Sequence, residues 1–260
     1  MATLAQPPAG GRESIENTRF FTIMAFVMGL TIVGAFSMHL ALGRSTFAVP
    51  WQYHVHGVIF MSWIGFYLVQ HVTISSGNRA LHARLGKLAY ALIPLMVAAG
   101  TLIIVTAMRR NGGPFFFPVN EFFVSNTALL FCFGGLAWWA LRQRRYTGWH
   151  RRLMLCAMAV LTGPGLGRLL PLPLMIPYAW SITFAATCIF PIIGMIADLR
   201  ANGRVHPAYW WGLGIYVAVF AVSMLLAYSS IGYALTEWVI AGTPGAERPM
   251  EAFLPEGFSM

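Results

Sequence analysis

The run Trp51-Gln-Tyr-His-Val-His-Gly-Val-Ile-Phe-Met-Ser-Trp63 places two histidines, His54 and His56, directly ahead of a long apolar stretch. Five more follow the same habit of sitting near the ends of apolar runs: His39, His71, His82, His150 and His206. An imidazole carries a proton near neutral pH and ligates metals through either ring nitrogen. Histidines spaced so that several meet would therefore support metal binding or proton transfer. A single histidine at such a boundary more often hydrogen-bonds to water or a lipid headgroup. Which of these applies depends on the elements that carry them.

Those elements belong to a membrane. Of 260 residues, 58% are hydrophobic and 10% charged, and the mean hydropathy is +0.66. That much apolar surface cannot be hidden in a water-soluble core, so lipid must be part of the solvent. Seven segments are long and apolar enough to read as spans: 20–42, 53–74, 86–108, 121–142, 152–170, 176–198 and 209–235. The sequence therefore predicts an all-α, polytopic bundle of seven transmembrane helices. A tail precedes it over 1–19, the spans occupy 20–235, and a second tail, expected to be loosely ordered, covers 236–260. The fifth span is the weakest, because Gly163-Pro164-Gly165-Leu166-Gly167 interrupts it. It is expected to be kinked, broken or re-entrant. The first span follows Arg12 and Arg19 but, at about 22 residues, exceeds the core of a secretion signal.

Twelve of the seventeen Lys and Arg residues fall in the N-terminal tail and the loops after the second, fourth and sixth spans. The positive-inside rule then sets the N-terminus in the cytoplasm and the C-terminus in the periplasm of a bacterial inner membrane. The same distribution argues against nucleic acid, since the charges set topology instead of forming one binding face. Cys132, Cys156 and Cys188 lie within apolar runs without metal-ligand spacing and read as buried thiols. His206, beside Pro207, reads as solvent-facing.

With orientation set, His39, His54 and His56 lie towards the outer face, and His71, His82 and His150 towards the inner face. His56, Trp63 and Gln70 recur every seven residues and share one helix face. His56 and His71 are separated by about 22 Å of helical rise. His54 and His56 point roughly 200° apart if helical, so they cannot both face the bundle interior. Imidazoles grouped at two depths suit haem b, which takes axial nitrogens from different helices. Arg79, Arg84, Arg151 and Arg152 surround the inner group and could pair with haem propionates. A non-haem metal ion held by members of the set His54, His56, His82 and His150 is the alternative. For the arginines, anchoring to phospholipid headgroups is the plainer reading.

The stretches Tyr53-His-Val-His-Gly to Trp63 and Gln70, then Gly77-Asn-Arg-Ala-Leu-His82-Ala-Arg-Leu-Gly86, then Trp149-His-Arg-Arg-Leu-Met-Leu155 and Arg168, resemble a widespread family of uncharacterised bacterial multi-spanning membrane proteins. The resemblance covers spans two to five. Ala83 stands where that pattern has arginine, and Arg151 where it has lysine. It implies a polytopic helical bundle and brings no activity. A looser similarity in layout runs to the two-haem ascorbate-reducible b-type cytochromes. It suggests His56, His82 and His150 as ligands, with His39 or His71 as a fourth.

Three functions are consistent with these residues. The first is a redox protein that carries haem b and exchanges electrons with quinone or a partner protein. The second is a non-enzymatic subunit or assembly factor of a larger membrane complex, packed through Gly29, Gly34, Gly134, Gly135 and Gly194. The third is a small-molecule permease, prompted by the broken fifth span. No hydrolytic motif is present, and no residue is nominated as catalytic.

Overall fold

In a computed structural model, which describes residues 11–258, the chain is all-helical, with no strand among the described residues. The helices are α1 (Gly11–Ala41), α2 (Trp51–Ser75), α3 (Arg79–Gly86), α4 (Ala89–Asn111), α5 (Asn126–Arg142), α6 (Thr147–Leu161), α7 (Gly163–Leu169), α8 (Ala179–Thr187), α9 (Ile189–Asn202), α10 (Pro207–Ala227) and α11 (Ser230–Ile240). A wide helical turn, Glu121–Ser125, leads into α5. Among the described residues, six helical stretches are long and apolar enough to cross a membrane: Thr18–Ala41, Trp51–Ser75, Ala89–Asn111, Glu121–Arg142, Ala179–Asn202 and Pro207–Ala227. The chain is thus a multi-pass helical membrane protein. Its outer surface shows large apolar side chains to the lipid, as at Leu225 and Trp238, which are 77% and 76% exposed.

The count of long apolar helices is six, against the seven expected, and the difference lies in the fifth segment. Pro164 has no N–H for the Val160 carbonyl, and the helix is divided at Thr162 into α6 and α7. The Thr162 hydroxyl donates to the Ala159 carbonyl at 2.6 Å, which meets part of the local demand. Together α6 and α7 still run the length of α1. Arg151 lies over the Phe21 ring near one end of α1, and the Arg168 carbonyl meets His39 near the other. Gly165 makes this fit possible, since a Cβ there would come 3.0 Å from the Ile32 Cα. The sixth segment bends in a similar way. Pro191 leaves the Thr187 carbonyl without its helical donor, and α8 gives way to α9 at Cys188.

The expected seventh span, 209–235, stops earlier. α10 ends at Ala227, and Ser229 accepts from the Gly232 N–H to start α11. Of the expected N-terminal tail, residues 1–10 lie outside the described residues, and helix α1 already begins at Gly11.

The C-terminal tail is held down along its described length. Arg248 donates to the carbonyls of Gly112 (3.1 Å), Gly113 (3.0 Å), Pro114 (3.1 Å) and Phe117 (3.0 Å). Backbone bonds Val119 N–H to Met250 (2.8 Å) and Phe253 N–H to Phe115 (3.1 Å) extend the contact. Gly112, at φ +69°, must be glycine on two counts: its conformation, and the Arg248 side chain filling the place of a Cβ. The Phe115–Phe117 loop is a cap on the bundle, with Phe117 packed edge-on to Trp180 at 4.8 Å.

One buried ion pair fastens α6 to α9. Arg152 Nε donates to Asp198 Oδ2 at 2.7 Å while its terminal nitrogen meets Oδ1, and both side chains are buried. Asp198 also accepts from the His206 N–H at 3.1 Å, which draws in the loop before α10. His206 is therefore half-buried and caps α10, its Nδ1 accepting from the Ala208 N–H at 3.1 Å. It does not simply face solvent. Asp198→Asn leaves a buried guanidinium without its counter-charge and should destabilise the protein by about 3–5 kcal/mol. The measurement is a thermal midpoint in detergent, and Arg152→Met/Asp198→Leu should recover much of the loss. Burial, with Arg152 next, lowers the His206 pKa from 6.5 to about 4, opposed by Asp198. The unfolded chain then binds the extra proton first. Stability should be full above about pH 6.5 and should fall as pH drops towards 4, a loss that His206→Asn should reduce in pH-dependent melting.

Candidate functional site: a histidine group at the basic end

α2, α3 and α6 bring three imidazoles together at one end of the bundle. α2 ends at Ser75, and Gly77 (φ +79°) turns the chain into α3, whose N-cap Asn78 accepts from the Leu81 N–H at 3.0 Å. That turn folds His82 back against Gln70 of the preceding helix. The four-residue link between α5 and α6 does the same for His150, which lands beside the last turn of α5. The rings of His82 and His150 stand 6.4 Å apart, nearly perpendicular at 81°. His71 lies within electrostatic reach of both, packs edge-on to Tyr67 at 4.6 Å, and has a buried Nδ1 with no partner.

Each member of the pair is fixed through Nδ1. His150 Nδ1–H donates to the Ala140 carbonyl at 2.8 Å, one of the terminal carbonyls that a helix cannot satisfy internally. His82 Nδ1 lies 3.2 Å from the Gln70 carbonyl. The Gln70 amide is satisfied when its oxygen accepts from the Gly86 N–H (3.0 Å) and its nitrogen donates to the His82 carbonyl (3.1 Å). In that orientation the amide nitrogen also faces His82 Nδ1 at 2.7 Å. The amide nitrogen carries N–H on that side, so in this orientation His82 Nδ1 accepts and its Nε2 holds the proton. On His150, Nδ1 is the donor and Nε2 is the nitrogen left to bind something, the arrangement common for metal-bound imidazoles. His82 offers Nε2 in the same way only when its Nδ1–H goes to the Gln70 backbone carbonyl and the amide turns away.

Exposed Arg79, Arg84 and Arg144 lie on the helices and loop that carry this pair, with Arg144 donating to the Tyr90 hydroxyl at 2.7 Å. Two of the arginines expected to stand free are engaged elsewhere. Arg152 is committed to Asp198, and Arg151 lies 4.9 Å over the Phe21 ring.

The outer histidines do not join this group. His56 is half-buried, packs on Phe60 at 4.1 Å and lies near Arg168. His39 donates to the Arg168 carbonyl, and His54 is exposed. His54 and His56 thus fall at the opposite end from His82 and His150. Among the described residues, no three or more His, Cys, Asp or Glu side chains are grouped to hold one metal ion. The three cysteines are free and buried. Gln70 and the Ala140 carbonyl are the supporting groups that the sequence did not reveal as such. The seven-residue recurrence puts Gln70 on one helix face with His56 and Trp63, but only the return of α3 shows what it holds.

Comparison with family models, with curated proteins and with solved structures finds no match for this chain.

Gln70→Leu keeps the volume and removes the side-chain amide's contacts to His82 and Gly86, leaving only the backbone carbonyl beside His82 Nδ1. It should cost about 1–3 kcal/mol, read as a lower thermal midpoint, with His82→Gln in the same background adding little because the two act as one unit.

Proposed function

We propose that this protein is a haem b-binding electron carrier of a bacterial inner membrane. His82 and His150 would hold its iron, at an end of the bundle that the positive-inside rule assigns to the cytoplasm. The pair of neighbouring imidazoles carries the reading. They come from different helices, are fixed through Nδ1, and lie 6.4 Å apart. Two imidazoles on opposite sides of one metal, each nitrogen ~2 Å from it, would have ring centres on the order of 6 Å apart. The donor set fits one haem better than two, since the outer group offers no second pair. It also fits haem better than a bare metal ion, which would want a third protein ligand.

Haem would supply one-electron chemistry at this end. The protein's own residues do the rest. The Ala140 carbonyl and Gln70 set the ring orientations, and the Ala140 carbonyl leaves Nε2 of His150 free to bind iron. Arg79 and Arg84 offer charge for propionates. Tyr67 and His71 wall the site on the membrane side. Quinone or a partner protein would exchange the electron.

The test is a reduced-minus-oxidised visible spectrum of the detergent-purified protein with iron analysis. A sharp α-band and iron near one per chain are expected. His82→Ala and His150→Ala should each lose most of the haem, and His54→Ala should keep it. Full haem in both variants would sink this ligand assignment.

A second reading, a non-enzymatic subunit or assembly factor, draws on an apolar groove of about 650 Å³ between α4 and α5, lined by Pro94, Val97, Phe131, Gly134, Gly135 and Trp138. Most of the glycines expected at such an interface are used within the chain: Gly134 faces Val97, Gly194 meets Tyr209 and Gly29 meets Leu68, while Gly34 and Gly135 are open. A colourless protein that co-purifies with a defined complex would favour this reading.

A further inference from the structure

At the end of the bundle away from the paired histidines, Arg168 carries a charge that no carboxylate among the described residues answers. Its guanidinium stacks 3.8 Å from the centre of the Phe36 ring. One terminal nitrogen donates to the Pro164 carbonyl at 2.8 Å, and the Arg168 carbonyl accepts from His39 Nε2 at 2.8 Å. These contacts, from α1 and α7, fix both the plane and the direction of the group. Beyond them, Arg168 Nε has no acceptor, and the Nδ1 of neighbouring His56 and the Oε1 of Gln52, one turn earlier on α2, also lack partners. Among the described residues the ion pair is Arg152–Asp198, at the other end.

A cation at the edge of a membrane bundle is stabilised by water, by an acid or by an anionic ligand. A free arginine would reach outward to the headgroups by flexing its stem. Arg168 is restrained from doing so by the stack on Phe36 and the tie to Pro164, so the partner must come to it. We infer that Arg168, with His56 beside it, binds a phosphate group, supplied by a phospholipid headgroup or by free phosphate. The planar fork of N–H donors matches two phosphate oxygens. A neutral imidazole adds one further donor, and the Gln52 amide, turned about its terminal bond, adds another. A quinone head fits less well. Its carbonyls do not neutralise the charge, and along α2 it would sit about 22 Å of helical rise from His71, remote from the imidazole pair. This inference is independent of the haem reading.

The experiment uses the full chain in a non-ionic detergent at constant ionic strength. The thermal midpoint is titrated with dihexanoyl phosphatidylglycerol and, separately, with inorganic phosphate. Ligand that binds the folded state should raise the midpoint in a saturable way. Half-saturation should move roughly ten- to hundredfold higher in Arg168→Gln, and stay unchanged in Arg44→Gln, an exposed cation at the same end. A rise with the lipid but not with phosphate assigns the headgroup; an equal rise with both assigns free phosphate. Should Arg168→Gln fail to fold, Arg168→Lys carries the test, keeping the charge but losing the fork, with weaker binding expected. An equal response from the native protein and the Arg168 variant that folds, or no response of the native protein to either ligand, overturns the inference. The visible spectrum of the same sample reports on haem separately.

Discussion

In a bilayer, every backbone N–H and C=O must find its partner within the protein, because lipid offers none. The rest of this structure depends on that constraint. Uninterrupted helices meet it along α1, α2 and α10, and α4 continues past Pro94 without dividing. At Pro164 and Pro191 the helix does divide, and threonine stands at each break. Thr162 donates to the Ala159 carbonyl, and Thr187 donates to the Phe184 carbonyl while also meeting the Tyr216 hydroxyl. The breaks therefore sit where neighbouring helices cover them. Gly165 brings α7 onto α1, and Tyr216 reaches across from α10.

The same constraint shapes the histidine group. Ala140 lies in the last turn of α5, where a carbonyl has no helical donor, and His150 supplies one. A structural debt of the helix end thereby orients an imidazole. Gln70 does comparable work for α3, meeting the Gly86 N–H and the His82 carbonyl with one amide. The candidate ligands are held by groups that the fold needs in any case.

The two ends of the bundle treat charge differently. At the basic end, Asp198 is the sole aspartate of the chain, and it neutralises Arg152 while fastening α6, α9 and the His206 loop. At the other end the chain's cations are met by neutral acceptors. Arg248 is surrounded by carbonyls of the 112–117 loop, and Arg168 by an aromatic face and a carbonyl. Carbonyl dipoles solvate a guanidinium without cancelling its charge, which is why Arg248 is satisfied by many of them and Arg168, with few, has capacity to spare.

The sequence by itself determined the solvent, the helical class and the break in the fifth segment. Those properties follow from local composition, from the length of apolar runs and from the glycines and proline clustered at 163–167. The division at Cys188 and the end of α10 at Ala227 came only with the structure. The sequence also sorted the histidines by depth, since rise along a helix is fixed at each residue. Tertiary structure alone decided which of them meet. His82 and His150 are far apart in the chain, and their approach depends on the turn at Gly77 and on the short link between α5 and α6. Arg152 and Asp198 illustrate the same limit: the sequence suggests propionates or lipid headgroups for Arg152, and its pairing with a residue 46 positions away is set by how α6 packs on α9. The tail gave the strongest contrast. Its polar, proline-bearing composition resembles that of a loose segment, and only the row of carbonyls converging on Arg248 from another loop gives it a fixed place.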